Sequence, residues 1–325
     1  MNFKNYFKII NDVHKKTGKL RIYILLDSIV CGIKYQAGYM DYQLFEMYKM
    51  NSKERKTVIT RGINNEITKK YNDKSSTYKF ENKAIFNKLF DKYLNREWIY
   101  LKDASESDFK KYLKGKDFII VKPLDLSCGK GVEKIKVDKE DVHELYNRLI
   151  ENKQLLVEDV AIQHDLINEI YPQSVNTFRI VTLNKQVVAA FLRIGNYGNV
   201  VDNFNHGGMV TAIDIESGKI NYPAIDKEHN VYTEHPITKK KIVGIKIPMW
   251  SDIKNLCIEA CDVVPEIKYI AWDVCLGKEK PFLIEGNDFP GHDLYQLPVH
   301  RSDNYGLLPI FKKAMEVENE DSNSK

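Results

Sequence analysis

The sequence has no long apolar run and few cysteines, and these two features narrow the class of protein to which it can belong. Asp27 interrupts the best apolar stretch, so no run approaches the ~20 apolar residues of a membrane-spanning helix. The first ten residues also lack the continuous apolar segment of a secretory signal. Five cysteines, an odd number in 325 residues, favour reduced thiols over a disulfide framework. We therefore expect a cytoplasmic protein without a transmembrane segment.

Charge is distributed unevenly along the chain. Residues 1–115 hold 24 Lys and Arg against 13 Asp and Glu, a net charge of +11, which leaves −7 (+4 minus +11) for residues 116–325. A basic first third suits an anionic partner such as an acidic glycan, a nucleotide-linked sugar or an anionic membrane face. A lysine-rich solvated surface over a tyrosine-rich helical core explains the same charge. No recognised nucleic-acid-binding motif accompanies it, so we expect no nucleic-acid partner.

Oxygen ligands lie on two adjacent extended segments near the C-terminus. Residues 268–276 and 281–287 are predicted strands of a hairpin, which brings Asp273 alongside Glu285 and Asn287. Two carboxylates and an amide at one place repel each other unless a cation lies between them. Mg²⁺ accepts such oxygens and keeps positions for phosphate. The pattern predicts a magnesium site, although a solvated strand edge fits so short a motif as well.

A phosphate-binding loop is predicted earlier in the chain. Residues 117–123 have the pattern of a short buried strand that ends in Lys122, a point charge suited to phosphate oxygens. Glycines in the loop that follows allow its amide N–H groups to turn toward an anion. The loop residues concerned are Ser127, Cys128, Gly129, Lys130 and Gly131. A surface hairpin with a glycine turn is the alternative.

Another strand pattern, at residues 154–161, suits the base and the sugar of a nucleotide. Such a strand pairs the edge of adenine with backbone groups, and a carboxylate a few residues on, here Asp165, accepts ribose hydroxyls. An edge strand with a helix cap at Asp165 is the alternative. The run 196–208 is too rich in Gly and Asn for regular structure and predicts an active-site loop.

In their order along the chain, these elements resemble the ATP-grasp superfamily. The matching motifs are Lys122 with the glycine loop, Glu158 with Asp165, Asn176-Thr177-Phe178-Arg179, Asn205-His206-Gly207-Gly208, and Asp273 with Glu285-Gly286-Asn287. The match covers roughly residues 80–300. Residues 163–164 and 172–182 are most similar to the sugar-transfer-associated branch, which is found with capsule and surface-polysaccharide genes.

The resemblance implies a fold and a domain order. The fold is α+β, of the ATP-grasp type, with a nucleotide held between two α+β subdomains at residues 81–160 and 161–315. A mainly helical region, residues 1–80, precedes them, and residues 316–325 form a flexible tail. Many relatives begin instead with alternating strands and helices, and that domain commonly holds the second substrate, so the substrate stays open.

The resemblance also implies roles for individual residues, with ATP and two magnesium ions as cofactors. The phosphate set is Lys83, Lys122 and the lid Ser127, Cys128, Gly129, Lys130 and Gly131, with Lys88 competing with Lys83. The base and sugar set is Glu158, Val160, Ala161 and Asp165. The metal set is Asp273, Glu285 and Asn287, and the catalytic set is Arg179, Arg193, Asn205 and His206.

The activity implied is an ATP-dependent ligase that joins a carboxylate to an amine through an acyl phosphate. The acid would be a small molecule or a carboxylated sugar or glycan precursor in capsular or surface polysaccharide biosynthesis. Peripheral association with a polysaccharide assembly system belongs to the same expectation. Two alternatives use the same nucleotide site: a sugar or polyol kinase with Asp202 as its base, and a catalytically inactive nucleotide-binding protein.

Overall fold

Helices make up the N-terminal part of the protein. The computed structural model describes residues 3–125, 130–196, 202, 204 and 207–323. Before the first strand it has α1 (Phe3–Thr17), α2 (Arg21–Tyr35), α3 (Tyr39–Leu44), α4 (Ser52–Arg55), α5 (Arg61–Tyr71), α6 (Tyr78–Glu81) and α7 (Lys83–Phe90). The mainly helical N-terminal region that was predicted is confirmed within these residues.

The core of the helical region is formed by α1, α2 and the segment of residues 37–58 that follows them. The buried residues of α1 follow helical spacing and form one stripe: Tyr6, Ile9, Ile10 and Val13. They belong to one cluster with Ile24 and Cys31 of α2. The Tyr6 and Ser28 hydroxyl groups form a hydrogen bond of 2.7 Å across the pair. Hydrophobic burial therefore holds the two helices together along one side of each.

Buried polar contacts attach the helical region to the segment that follows the last strand. His292 Nε2 lies 2.8 Å from Asp41 Oδ1 at the start of α3. The Asn64 side chain of α5 donates to the Pro290 carbonyl at 2.9 Å. Because these groups are out of water, leaving them unpaired would cost more than the bonds contribute. The helical region is thereby fixed next to residues 288–297.

A four-stranded antiparallel sheet has the strand order β1-β4-β2-β3. Its strands are β1 (Trp98–Tyr100), β2 (Phe118–Lys122), β3 (Glu133–Lys136) and β4 (Leu156–Asp159). Two helices, α8 (Glu106–Leu113) and α9 (Val142–Glu151), contribute Phe109 and Leu145 to the core beneath it. Strands β2 and β3 pair antiparallel as a hairpin. Helix α9 begins at Val142 because the Asp141 side chain caps it by accepting from the Glu144 amide.

A seven-stranded antiparallel sheet has the order β11-β10-β5-β6-β7-β8-β9. The strands are β5 (Phe178–Leu183), β6 (Gln186–Ile194), β7 (Met209–Ala212), β8 (Ala224–Ile225), β9 (Val231–Tyr232), β10 (Tyr269–Leu276) and β11 (Pro281–Asn287). The helices that accompany it are α10 (Asp165–Ile170), α11 (Trp250–Ala260) and α12 (Leu308–Asn323). The predicted hairpin of residues 268–276 and 281–287 is β10–β11.

The two faces of the seven-stranded sheet differ. One face is apolar throughout, because alternate residues such as Ile180 and Trp272 pack on α7 and α11. On the other face, Val181 and Tyr269 pack with Phe311 of α12. Further along the same strands this second face carries charged side chains and is turned toward the four-stranded sheet. The functional site described below lies there.

The predicted domain boundary at residue 81 stays a prediction. Helix α7 follows that boundary, and its Phe86 and Phe90 share a core cluster with Trp272 of the seven-stranded sheet. The rings of Phe90 and Trp272 lie 5.5 Å apart, edge to face. No helix among the described residues is both long enough and apolar enough to cross a membrane.

Candidate functional site

A cavity of about 490 Å³ lies between the two sheets. Its walls come from the ends of β2 and β4 on one side and from β5, β6, β10 and β11 on the other. The charged and amide residues that line it are Glu81, Lys83, Asn87, Arg96, Lys122, Asp125, Glu158, Asp159, Arg179, Arg193, Asp202, Asp273, Glu285, Asn287, Asp288 and Asp293. Both signs of charge therefore meet in one cavity, which is typical of a site for a charged ligand.

Three charged residues form a row across β5, β10 and β11. Asp273 is opposite Arg179 on one neighbouring strand and opposite Glu285 on the other. Directly opposite residues share a face of the sheet, so all three side chains point into the cavity. The pairing of β10 and β11 shifts register immediately after Asp273. The extra residue is Ile284, so a bulge adjoins the site.

Asp273 is held by two guanidinium groups. Arg179 donates to both of its carboxylate oxygens, from Nε to Oδ1 at 2.8 Å and from Nη2 to Oδ2 at 2.7 Å. Arg193 Nη1 donates to Oδ2 at 2.8 Å. Burial raises the pKa of Asp273, but the two arginines outweigh it and lower the pKa to about 2. Asp273 is therefore ionised at neutral pH.

Glu285 is the second carboxylate of the row, and its pKa is shifted in the opposite direction from that of Asp273. Burial and the neighbouring negative charge of Asp273 both raise the pKa of Glu285. Beside it, the Asn287 Nδ2 atom is buried without a hydrogen-bond partner among the described residues. A half-turn of this amide would present its oxygen instead. Excess negative charge and an unpaired amide at one point are what a bound cation relieves.

The donors present fit a hard divalent cation. No cluster of three or more His, Cys, Asp or Glu side chains suited to a metal occurs in the described part of the chain. A metal at this cavity would therefore use the amide of Asn287 together with Asp273 and Glu285. Oxygen donors of this kind suit Mg²⁺, which keeps other coordination positions for phosphate or water.

A second charged group, on the opposite wall, surrounds Glu158. Its carboxylate pairs with Lys122 on the adjacent strand β2 and with Arg96 Nη2 at 3.0 Å. Asn87 Nδ2 donates to it at 2.7 Å. Burial raises the pKa of Glu158, but Arg96 and Lys122 outweigh it, so the pKa lies below its usual range. The carboxylate is ionised and orients the lysine at the cavity edge.

Arg96 also joins the two sheets. Its Nη1 atom donates to the Leu283 carbonyl at 2.6 Å, and its Nη2 atom donates to the Ile284 carbonyl at 3.2 Å. Both carbonyls belong to the bulged part of β11, so the arginine satisfies backbone groups that the irregular pairing exposes. Through Glu158 and the bulge, Arg96 fixes the spacing between the two walls.

Lys83 lies at the cavity, and Lys88 does not. Lys83 is the first residue of α7, its Nζ atom lies 3.4 Å from the Leu124 carbonyl, and it lines the cavity. Burial lowers its pKa. Lys88 lines a separate, open surface groove with Asp91 and Lys92. Of the two lysines between which the sequence could not decide, Lys83 is the one the fold places at the site.

Comparison with known proteins agrees with this geometry. A family model described as sugar-transfer associated ATP-grasp matches residues 62–308, which is more than half of the chain. This chain belongs to the sugar-transfer-associated ATP-grasp family. The predicted family and the predicted α+β ATP-grasp fold are therefore confirmed. No curated protein sequence matches the chain.

Solved structures of other ATP-grasp enzymes are similar at low identity. The ligase PsnB, in complex with its minimal precursor, Mg and ADP, is 12% identical with a TM-score of 0.45 over 76% of this chain and 61% of that chain. The D-alanine–D-alanine ligase from Bacillus anthracis is 14% identical with a TM-score of 0.43 over 74% and 69%. The D-cycloserine synthetase DcsG is 10% identical with a TM-score of 0.42 over 73% and 70%. This ATP-grasp chain thus spans about three fifths of the length of PsnB.

The predicted site residues of this ATP-grasp chain fall into three groups. At the cavity lie Lys83, Lys122, Glu158, Val160, Ala161, Arg179, Arg193, Asp273, Glu285 and Asn287. Outside the described residues lie Ser127, Cys128, Gly129, Asn205 and His206. Asp165, Lys130 and Gly131 are not among the residues that line the cavity, although Val132, next to Gly131, is.

The three described residues that do not line the cavity have other contacts. Asp165 is the first residue of α10, its side chain is largely exposed, and its Oδ1 atom lies 3.1 Å from Lys278 Nζ. Lys130 is exposed. Gly131 has φ +71°, which a residue with a side chain rarely adopts, and its carbonyl accepts from Gln154 Nε2 at 3.0 Å. The predicted ribose contact of Asp165 stays a prediction.

Sequence reasoning missed Arg96, Asn87 and Thr177. Asn87 carries a signal, since it follows Lys83 by four residues on one helix and so shares its face. Thr177 lies beside Arg179 in a segment already noted. Its amide donates to Asp202 Oδ2 at 2.8 Å, and its hydroxyl donates to the same oxygen. Arg96 has no signal, because only the approach of two separate sheets gives it partners.

Proposed function

We propose that this ATP-grasp protein is an ATP-dependent ligase that joins a carboxylate to an amine and releases ADP. The observation that carries the proposal is the row Arg179, Asp273 and Glu285 across one cavity from Lys122. The row combines a cation for phosphate oxygens with oxygen donors for a metal. The opposite wall supplies a lysine already oriented by Glu158. Together these groups suit a nucleoside triphosphate whose terminal phosphoryl group is transferred.

The nucleotide would lie along the wall formed by β2 and β4. Lys83 and Lys122 are point charges suited to its phosphates. Val160 and Ala161 line the same cavity just after β4 and offer backbone groups to the base. We assign them the adenine contacts, while the lid of residues 127–131 would cover the phosphates.

Asp273, Glu285 and Asn287 would hold the magnesium, for which we propose two ions. When bound, magnesium supplies positive charge that disperses the charge of the transferring phosphoryl group. Arg179 holds Asp273 through two parallel hydrogen bonds, so the carboxylate stays fixed in orientation. Residues that keep such an orientation let the site act without rearranging during the reaction.

Attack by the substrate carboxylate on the terminal phosphate would give an acyl phosphate and ADP. The amine would then displace phosphate and leave an amide. Arg193 and Arg179, which line the cavity, would bind the acid and the transferred phosphate. The walls of the two sheets would keep water from the acyl phosphate, which water would otherwise hydrolyse.

We propose a carboxylated sugar or glycan precursor of a surface polysaccharide as the acid. The description of the family as sugar-transfer associated supports this choice. We place the reaction in the cytoplasm, in association with a polysaccharide assembly system. The net positive charge of residues 1–115 also favours an anionic substrate or surface, because opposite charges attract.

The kinase alternative depends on Asp202, which does line the cavity. Its Oδ2 atom accepts two hydrogen bonds from Thr177, and its Oδ1 atom lies 3.1 Å from Arg193 Nη2. Burial raises the pKa of Asp202. A kinase would use Asp202 as the base for the sugar hydroxyl, and the trapping assay described below distinguishes this alternative from the ligase.

The test is a trapping assay. The protein is incubated with magnesium, ATP, hydroxylamine and a panel of uronic acids, sugar nucleotides and amino acids, and hydroxamate, ADP and AMP are measured. Hydroxamate formed together with ADP is expected and would identify the acid. ADP with a phosphorylated sugar and no hydroxamate would replace the ligase by a kinase. The absence of nucleotide turnover across the panel would contradict the proposal.

Two variants connect the assay to the site. Asp273→Asn should lower the rate by about 100-fold or more, because even groups behind a metal ligand contribute about 10–100-fold. The matched control is Asp262→Asn, which alters an exposed carboxylate paired with Lys185 outside the cavity. Equal rates for the two variants would remove Asp273 from the mechanism.

A further inference from the structure

The outward face of α2 is apolar along its whole length. Four residues at helical spacing, Ile22, Leu26, Ile29 and Ile33, are exposed, and Ile33 has the largest exposed fraction at 78%. Tyr23 and Val30 border this stripe and are also exposed. The opposite side of the same helix is buried in the N-terminal core. A helix that is apolar on both sides has a second surface that is expected to be covered.

Helix α1 extends this face. Its Phe3 and Phe7 are 64% and 57% exposed and lie one turn apart. The Tyr6–Ser28 hydrogen bond and a second bond from Arg21 Nε to Asn11 Oδ1 fix α1 and α2 antiparallel. In that register Phe7, next to Tyr6, is level with the middle of α2 near Ser28. The two helices together therefore present one continuous apolar surface, which we call the hairpin face.

Positive charge surrounds the hairpin face. Residues 1–40 contain seven Lys and Arg against two Asp, a net charge of +5. The exposed cations next to the apolar residues in sequence are Lys4, Lys8, Arg21 and Lys34. Neither of the two Asp residues neutralises these cations. Asp27 forms an ion pair with Arg55, and Asp12 lies nearly opposite Phe3 and Phe7 around α1.

We propose that the hairpin face binds the anionic headgroup region of a membrane, with α1 and α2 lying in its plane. An amphipathic helix with apolar and aromatic side chains on one side and lysines beside them is typical of such binding. Helix α2 has 15 residues, fewer than the ~20 needed to span a bilayer, so it lies on the surface. Tyr23, whose ring is 5.6 Å from Lys19 Nζ, suits the headgroup level.

Charge favours an anionic membrane over a second copy of the chain as the partner of the hairpin face. A two-fold dimer through the hairpin face would bring two regions of +5 together, and like charges at an interface oppose association. An anionic lipid surface matches both the apolar stripe and the cations. The proposal does not depend on the reaction assigned to the cavity, because neither α1 nor α2 lines it.

The experiment is sedimentation of the full chain with phosphatidylcholine vesicles, with and without phosphatidylglycerol. We expect binding to the anionic vesicles at least about tenfold tighter than to the neutral ones, and weakened by salt. Leu26→Glu combined with Ile33→Glu should abolish it. Lys4→Gln and Lys8→Gln should each weaken it by roughly fivefold. Both sets alter exposed side chains, so the fold is retained.

Ile237→Glu is the matched control, because Ile237 is a 55% exposed apolar residue outside the hairpin face. It should bind vesicles as the unchanged protein does. Protein that stays in the supernatant with both kinds of vesicle would overturn the proposal. So would a dimer, measured by light scattering, that Ile33→Glu dissociates, since the face would then belong to a second copy. No step of the test uses ATP turnover, so a failed ligase assay leaves it unaffected.

Discussion

Replacing the carboxylate of Glu158 with an amide, Glu158→Gln, tests the charged group that joins the two walls of the cavity. The Glu158 and Arg96 side chains are only 2% and 3% exposed, and Lys122 is 15% exposed. In the variant, both cations lose their counter-charge while they stay out of water. Breaking a buried pair in this way costs about 3–5 kcal/mol, because an uncompensated charge is left behind. We therefore expect the free energy of unfolding to fall by that amount.

The measurement is urea unfolding at neutral pH, followed by circular dichroism. The matched control is Glu97→Gln, because the Glu97 side chain is 75% exposed although it pairs with Lys116 at 2.8 Å. An exposed pair contributes about 1 kcal/mol or less, so the control should remain close to the unchanged protein. Equal unfolding midpoints for the two variants would refute the reasoning.

Acidification gives a second measurement of the same group. The pKa of Glu158 is lowered from 4.5 in the folded protein. A carboxyl with a lowered folded pKa contributes stability that is fully present above its unfolded pKa and is lost as the pH falls toward the folded pKa. The unchanged protein should therefore lose more stability than Glu158→Gln between about pH 6 and pH 3. Parallel losses would show that Glu158 is not held ionised by its partners.

Three further changes test packing, a buried histidine and a buried amide. Gly286→Ala places a Cβ atom 2.9 Å from Phe80, so we expect a lower melting temperature and a free energy of unfolding reduced by about 1–3 kcal/mol. Gly32→Ala is the control, because its added Cβ makes only an ordinary contact at 3.5 Å and should not destabilise the protein. Burial lowers the pKa of His300 from 6.5 to about 4, so its neutral form is favoured and stability falls as the pH drops through that interval. His300→Gln should remove about 3 kcal/mol of that pH dependence in urea titrations, and curves parallel to those of the unchanged protein would contradict this. Asn72→Ala removes an amide that bonds the backbone of Tyr269 in both directions, and a loss below about 1 kcal/mol in urea would show that water replaces it.

The sequence predicts the β10–β11 hairpin well because the hairpin is local. Alternation along the strands places Glu285 and Asn287 on one face, and the short turn brings Asp273 opposite Glu285. The same local logic predicts the short strand β2, which ends in Lys122. The family follows from the order of such motifs, since order needs no knowledge of how the elements pack.

Other features of the site could not be predicted from spacing. Arg179 contacts Asp273 only because β5 pairs with β10, which lies far along the chain. Arg96 acquires its role because the four-stranded sheet approaches the bulge of β11. Asp165 has the spacing of a ligand residue, but its position at the start of α10 turns it to solvent beside Lys278.

The sequence by itself determined the strands and helices, the family, and which side chains share a face, because these depend on periodicity within short segments. Only the tertiary structure decided which faces meet. It paired Asp273 with two arginines, chose Lys83 over Lys88 for the cavity, and left the outer side of α2 uncovered. The physical reason is that pairing between distant strands and packing between sheets are set by the burial of the whole chain, which no local pattern records.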